Sequence, residues 1–173
     1  MRPGSVRHVL LVATVALSAT VASCSSAATT SSQTADVPTA EVIATIDGDT
    51  LVIRIEGRKE TVRLIGVDAP ETVHPTKPVQ CHGPEASAHL ADVLPRGTRV
   101  SVARDAEARD RYGRLLAYVV RESDGLFVNL DLVTGGWATT LAIEPNIAHA
   151  QTFATAAEDA RRAARGLWGA CER

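Results

Sequence analysis

Three short segments of this 173-residue chain concentrate groups that handle phosphate and hard cations. Asp47-Gly48-Asp49-Thr50 and Val67-Asp68-Ala69-Pro70-Glu71 carry carboxylates, while Arg63 and Arg111-Tyr112-Gly113-Arg114 carry guanidinium groups. Carboxylate oxygens are what a hard cation such as Ca²⁺ takes as ligands. A guanidinium is a planar, permanently charged fork that matches two phosphate oxygens. A carboxylate beside a bound cation can also orient and deprotonate a water. These are the groups needed to cleave a phosphodiester.

Each segment also has a plainer reading. Asp47-Gly48 is a common hairpin turn. Asp49 starts the next strand with nothing nearby in sequence to neutralise it, which leaves it free to ligate a cation together with Asp68. Pro70 ends strand pairing and leaves the Ala69 carbonyl open to the same cation. Glu71 is either a solvated loop residue or the group that activates water. Arg63 sits among Val62, Leu64, Ile65 and Val67, and Arg114 precedes the apolar run 115–120. Both are either rim residues or a phosphate clamp. Strand parity opposes a shared site, because an odd separation puts Arg63 and Asp68 on opposite faces. Only a bend or bulge near Gly66 brings them together.

The elements that must position these groups are short. Residues 40–46, 50–56 and 60–67 are rich in Val, Ile and Thr and are separated by turn residues, which predicts a three-stranded meander. Pro84 opens a helix over 84–94 that Pro95 ends. Strands are expected at 98–104 and 114–121, residues 127–134 fit a helix or a strand, and the alanine-rich run 148–165 is a helix closed by Gly166. Five short strands interrupted by a helix predict an α+β fold built on a small barrel capped by helices. His74, His82, His89 and His149 have no ligand-like spacing and read as surface residues.

The N-terminal end has a different character. Arg2 and Arg7 precede a 13-residue apolar run, VLLVATVALSATV, which suits a signal peptide over residues 1–23 better than a membrane span. Val21-Ala22-Ser23-Cys24 resembles the bacterial lipoprotein box, so Cys24 is the expected site of a lipid that anchors the exported protein to the outer face of the membrane, the alternative being an ordinary signal before a stray cysteine and a secreted protein. Residues 24–39 are poor in large apolar groups and are expected to form a tether to a domain spanning 40–173. With Cys24 set aside, Cys81 and Cys171 are the remaining cysteines, and in an exported domain they are expected to pair. The bridge would close a loop of about 90 residues and stabilise the fold by roughly 4 kcal/mol.

Charge narrows the possibilities further. Setting Arg2 and Arg7 aside leaves 16 basic residues against 20 acidic ones, a formal charge of −4. Such a chain does not hold nucleic acid by broad phosphate neutralisation. It must either concentrate its positive charge locally, as Arg104, Arg109, Arg111 and Arg114 do, or bind weakly.

Four motifs, IDGDT at 46–50, RLIGVDAPET at 63–72, GPEAS at 83–87 and DRYGRLLAY at 110–118, resemble the staphylococcal nuclease family in order and nearly in spacing. The likeness runs from about residue 40 to Trp168. It implies a five-stranded OB-type barrel with about three helices, acting as a monomeric Ca²⁺-dependent nuclease on DNA or RNA. It further implies that Asp49, Asp68 and the Ala69 carbonyl ligate Ca²⁺ and that Glu71 acts as general base. Arg63 and Arg114 would stabilise the transition state, and Tyr112, Arg111 and Lys77 would contact substrate. One departure stands out, because Leu141 and Ile143 occupy positions that are aromatic in family members, before Pro145-Asn146. Base stacking is worth roughly 1–3 kcal/mol per base, so base affinity is expected to be weaker. A non-catalytic OB-type binding module and a structural envelope lipoprotein are the competing readings.

Overall fold

A computed structural model describes residues 37–76 and 78–171. The segment expected as a leader, Cys24, most of the segment expected as a tether and Lys77 lie outside the described residues. Five strands close a barrel in the order β1-β2-β3-β6-β5, with β1 returning to pair with β5. They are β1 (Thr39–Asp47), β2 (Thr50–Ile55), β3 (Arg58–Leu64), β5 (Arg99–Ala103) and β6 (Leu115–Arg121). The pairs are antiparallel except β3–β6, which is parallel. The folded chain begins before residue 40: Thr39 pairs with Ser101, and the Pro38 carbonyl accepts the Val102 N–H at 2.9 Å.

Local chemistry explains the hairpins. Glu56 and Gly57 both have positive φ, 49° and 77°, the conformation that matches the twist of flanking strands in a tight β2–β3 turn. At the β1–β2 turn the Asp49 N–H donates to Asp47 Oδ1 at 3.1 Å, and Gly48 lies so close to Ala69 and Ala86 that a Cβ there would fall 2.6 Å and 2.9 Å from theirs. The turn is thereby pressed against the segment that carries Asp68.

The stretch expected as one strand over 60–67 is two. β3 stops at Leu64, Gly66 takes φ +80°, and β4 (Gly66–Asp68) leaves the barrel to pair with β7 (Thr139–Leu141). The break is the bend near Gly66 that strand parity required, whereas β7 was not expected from the residue pattern. Helix α1 (Gly83–Val93) buries Leu90 in the barrel core with Val42, Leu51, Ile53, Val62 and Leu64, and its buried Ala86 lies against Gly48. The ambiguous segment 127–134 is a helix, α2 (Val128–Thr134). The alanine-rich run forms α3 (Ala150–Arg162), which buries Phe153 and Ala160, and a single turn α4 (Leu167–Ala170) follows. Cys81 and Cys171 are joined by a disulfide with a Cα–Cα distance of 5.9 Å, tying the end of the described chain to the start of α1. The α+β class and the five-stranded barrel are as expected, with the short α4 added to three longer helices.

Candidate active site

The break at Gly66 overcomes the parity problem. Arg63, at the end of β3, folds its side chain across the turn: Nη1 donates to the carbonyls of Leu64 and Val67 at 2.9 Å and 2.7 Å. Nη2 lies 3.0 Å from Asp68 Oδ1 and 3.0 Å from Asp49 Oδ2. Glycine is required at the turn for two reasons. Its φ is positive, and a Cβ at this position would overlap the ring of Phe153.

Asp49 is not the unneutralised residue its sequence neighbourhood suggested. It is 5% exposed, is ion-paired to Arg63, and accepts the Ala69 N–H at 2.8 Å and the Thr50 hydroxyl at 3.0 Å. Burial pushes its carboxyl up to about 7, against the pull of Arg63 and those hydrogen bonds. Ala69 therefore meets Asp49 through its N–H. Its carbonyl receives no hydrogen bond among the described residues.

Asp49 and Asp68 touch the same guanidinium nitrogen, so their nearest oxygens are no further apart than twice 3.0 Å. A calcium ion holds its oxygens at about 2.3–2.6 Å, which makes this spacing compatible with two ligands of one ion. The donor set, two carboxylates and an unbonded carbonyl, is all oxygen and suits a hard cation. Among the described residues no cluster of three or more acidic, histidine or cysteine side chains forms, so carbonyl and water oxygens would have to complete the coordination.

Glu71 takes its partners from its own loop and from Gln80. Its Oε1 accepts the N–H groups of Thr72 and Val73 at 2.9 Å and 2.8 Å, and the Gln80 side chain and backbone clamp its own backbone at 2.8 Å and 2.9 Å. The Val73 N–H above all, with that of Thr72, holds the carboxyl below its usual range despite some burial. Among the described residues no hydrogen bond or ion pair joins it to Arg63, Asp49 or Asp68.

Arg114 enters from the other side, at the start of β6. Asp110 organises its loop, accepting the N–H groups of Tyr112 and Arg114 at 3.0 Å and 2.9 Å and the Arg114 Nε at 2.7 Å. Burial opposes ionisation of Asp110, but the Arg114 bonds win and keep its carboxyl low. Only Nε of Arg114 is used, and its terminal nitrogens have no hydrogen-bond partner among the described residues. Arg111 donates to the Tyr112 hydroxyl at 2.7 Å, and both arginines lie near the face of that 69% exposed ring. Arg63, Arg111, Tyr112 and Arg114 share one cavity of about 530 Å³ whose far wall includes Leu141 and Ile143. Neither aliphatic residue is covered, at 37% and 60% exposed.

Several positioning residues gave no sequence signal. Buried Asn129 on α2 accepts the Val119 N–H at 2.9 Å and donates to the carbonyls of Ile65 and Ala117 at 2.9 Å and 3.3 Å, fixing the chain beside Gly66 to the barrel. A lone Asn in an ambiguous segment offers no clue to such a role. The histidines, expected at the surface, are partly exposed: His74 stays in its loop bonded to Thr76, while the other three pack on aromatic rings. His82 and His89 stack on the two sides of Trp137, with centroids at 5.1 Å and 4.4 Å, and His89 bonds Asp131 at 2.7 Å. His149 packs edge-on against Tyr118.

Comparison with known proteins places the chain in a family. The staphylococcal nuclease homologue model matches residues 61–170, which takes in Arg63, Asp68, Glu71 and Arg114. The chain is 36% identical over 134 residues to a thermonuclease of Staphylococcus hyicus, covering 78% of each. To a thermonuclease of Staphylococcus intermedius it is 41% identical over 123 residues, covering 71% of each. It is also 39% identical over 131 residues to endonuclease YhcR of Bacillus subtilis (strain 168), covering 71% of this chain and 11% of that protein. A barrel with an all-oxygen acidic pair, two arginines on one cavity and these relatives mark the chain as a member of the staphylococcal nuclease family.

Proposed function

We propose that the protein is a calcium-dependent nuclease that hydrolyses DNA or RNA outside the cell and leaves 3′-phosphate ends. Arg63 is the observation that carries this reading. Its guanidinium lines the same cavity as Arg114 and also touches Asp49 and Asp68, so cation-binding and phosphate-binding groups meet at one side chain. The thermonuclease and endonuclease relatives support nuclease chemistry.

Asp49, Asp68 and the Ala69 carbonyl would hold Ca²⁺, which when bound supplies positive charge and Lewis acidity beside the phosphate. Arg63 and Arg114 bind the scissile phosphate and offset the charge that grows on its oxygens. Asp110 orients Arg114 through Nε and leaves its terminal nitrogens for substrate. Glu71 is ionised at neutral pH. With Oε1 anchored by two N–H groups, Oε2 is left to orient a water and take its proton. The water oxygen bonds to phosphorus as the bond from phosphorus to the 5′ oxygen breaks. Tyr112, Arg111 and Lys77 contact the rest of the nucleotide. Export through residues 1–23, a lipid on Cys24 and action as a monomer belong to the same proposal.

The test is cleavage of single-stranded DNA by the full-length protein, with Ca²⁺ and with chelator. Calcium-dependent 3′-phosphate products are expected, and their absence overturns the enzyme reading. A gel shift without cleavage would favour a binding module, and a Glu71→Gln variant as active as the parent would remove Glu71 from the base role.

A further inference from the structure

The cavity beside Arg63 and Arg114 is lined by three residues with carboxyl or amide side chains besides the arginines: Asp110, Asn146 and Glu107. Two of them are committed. Asp110 is engaged by Arg114 and by the N–H groups of Tyr112 and Arg114. Asn146, only 6% exposed, uses its amide on the backbone of Glu107, accepting the Glu107 N–H at 2.7 Å and donating to the Glu107 carbonyl at 2.9 Å. The Tyr112 hydroxyl accepts from Arg111. Glu107 is the exception: among the described residues its carboxylate has neither a hydrogen bond nor an ion pair. Its backbone is held from both sides while its side chain is uncommitted.

The rest of the cavity suggests what that carboxylate meets. Leu116, Leu141 and Ile143 supply apolar walls, and three arginines supply the charge that a phosphate requires. An apolar slot with cations for a phosphate and one acceptor-only group fits a nucleobase with its edge towards the acceptor. We infer that Glu107 reads the edge of the bound base and selects bases carrying an exocyclic amino group, namely cytosine, adenine and guanine, over thymine and uracil. An ionised carboxylate accepts hydrogen bonds and donates none, so it matches the cytosine N4 or adenine N6 amino group and the adjacent N1–H and amino group of guanine. Thymine and uracil present a single N–H flanked by two carbonyl oxygens, which the carboxylate repels. With aliphatic rather than aromatic walls the slot gains less from stacking, and discrimination falls to this polar contact.

This inference rests on the proposed function only in taking the cavity as a nucleotide site, and a binding measurement separates the two. Calorimetric titration of the full-length protein with dCMP, dGMP, dAMP and dTMP should show each amino-bearing nucleotide binding about tenfold more tightly than dTMP. Glu107→Gln, whose amide can also donate to a thymine carbonyl, should bring the four within about threefold of one another, and Glu107→Ala should do the same with weaker binding overall. Equal binding of the four to the parent, a preference that survives in both variants, or no mononucleotide binding at all overturns the inference. Preferential binding without any DNA cleavage leaves it standing and sinks the nuclease reading instead.

Discussion

The ring of Phe153 on α3 lies against Gly66, at the turn that brings Arg63 to Asp68. A helix that closes the fold thus also fixes the break between β3 and β4. Gly66→Ala must adopt positive φ and displace that ring, which should destabilise the protein by about 2–4 kcal/mol. Phe153→Ala leaves a cavity and should cost about 3–5 kcal/mol. Denaturant unfolding checks both, and cleavage rates should show Gly66→Ala the more damaging to activity, because it distorts the Arg63–Asp68 geometry directly.

Arg114 and Asp110 form a pair whose members have unequal roles. Arg114→Ala should lower kcat by about 10²–10³ if it stabilises the transition state. Asp110→Asn keeps the loop bonds to residues 112 and 114 but weakens the pull on Nε, and a smaller loss of about tenfold is expected. Steady-state kinetics on single-stranded DNA decide this. An Asp110→Asn variant as impaired as Arg114→Ala would show that Asp110 does more than orient.

Asn129 makes three hydrogen bonds in the core. Replacing it with Leu leaves the Val119 N–H and the Ile65 carbonyl without the Asn129 amide, at about 1–3 kcal/mol for each group that water cannot reach, while the Ala117 carbonyl still accepts the Ile65 N–H at 3.0 Å. A fall in Tm should accompany faster hydrogen exchange at Val119.

The Cys81–Cys171 bridge closes a 90-residue separation. Replacing both cysteines with Ser, or reducing the protein, should lower stability by about 4 kcal/mol through the entropy returned to the unfolded chain. Gln80, which clamps Glu71, directly precedes Cys81, so activity should fall before global unfolding is detected. Parallel Tm and activity measurements in graded reductant test the order of these losses.

Asp105 accepts the Ala148 N–H, the Ala106 N–H and the Tyr118 hydroxyl, linking the approach to α3 with β6. The Ala148 bond chiefly, with that of Tyr118, holds its carboxyl below the ordinary 3.8 against some burial. A lowered carboxyl stabilises the folded state above its unfolded value and stops doing so as pH falls through the folded one. Stability should therefore drop below about pH 4, and Asp105→Asn should be less stable at pH 7 and flatter in that acid range, as thermal unfolding from pH 2 to 7 would show.

Local patterns made the barrel legible. β-branched runs broken by Asp-Gly and Gly57 specify hairpins whatever surrounds them, and Pro84 and Pro95 bracket α1 because proline opens a helix and ends one. Strand parity called for a bend near Gly66, but its cause was hidden for the opposite reason. Ile65, Gly66 and Val67 continue an apolar run, and only the Phe153 ring and the Asn129 amide reveal why the chain turns there. β7 escaped notice because three residues carry too little periodicity, and its pairing with β4 is a long-range event.

By itself, the sequence determined which functional groups are present, because motif residues and their types are covalent facts and short-range propensity sets most elements. It also pointed to the family, through four motifs in register. Only the tertiary structure decided which groups meet. Arg63 reaches Asp49 and Asp68 because the chain reverses at Gly66, Glu71 turns into its own loop, and Asn146 clamps the backbone of Glu107. The Arg63–Asp49 and Asn146–Glu107 contacts join residues far apart in the chain, and the Arg63–Asp68 contact depends on a turn packed against α3, so no local preference encodes them; the Glu71 bonds to Thr72 and Val73 are local, and only the fold shows that this carboxylate takes them.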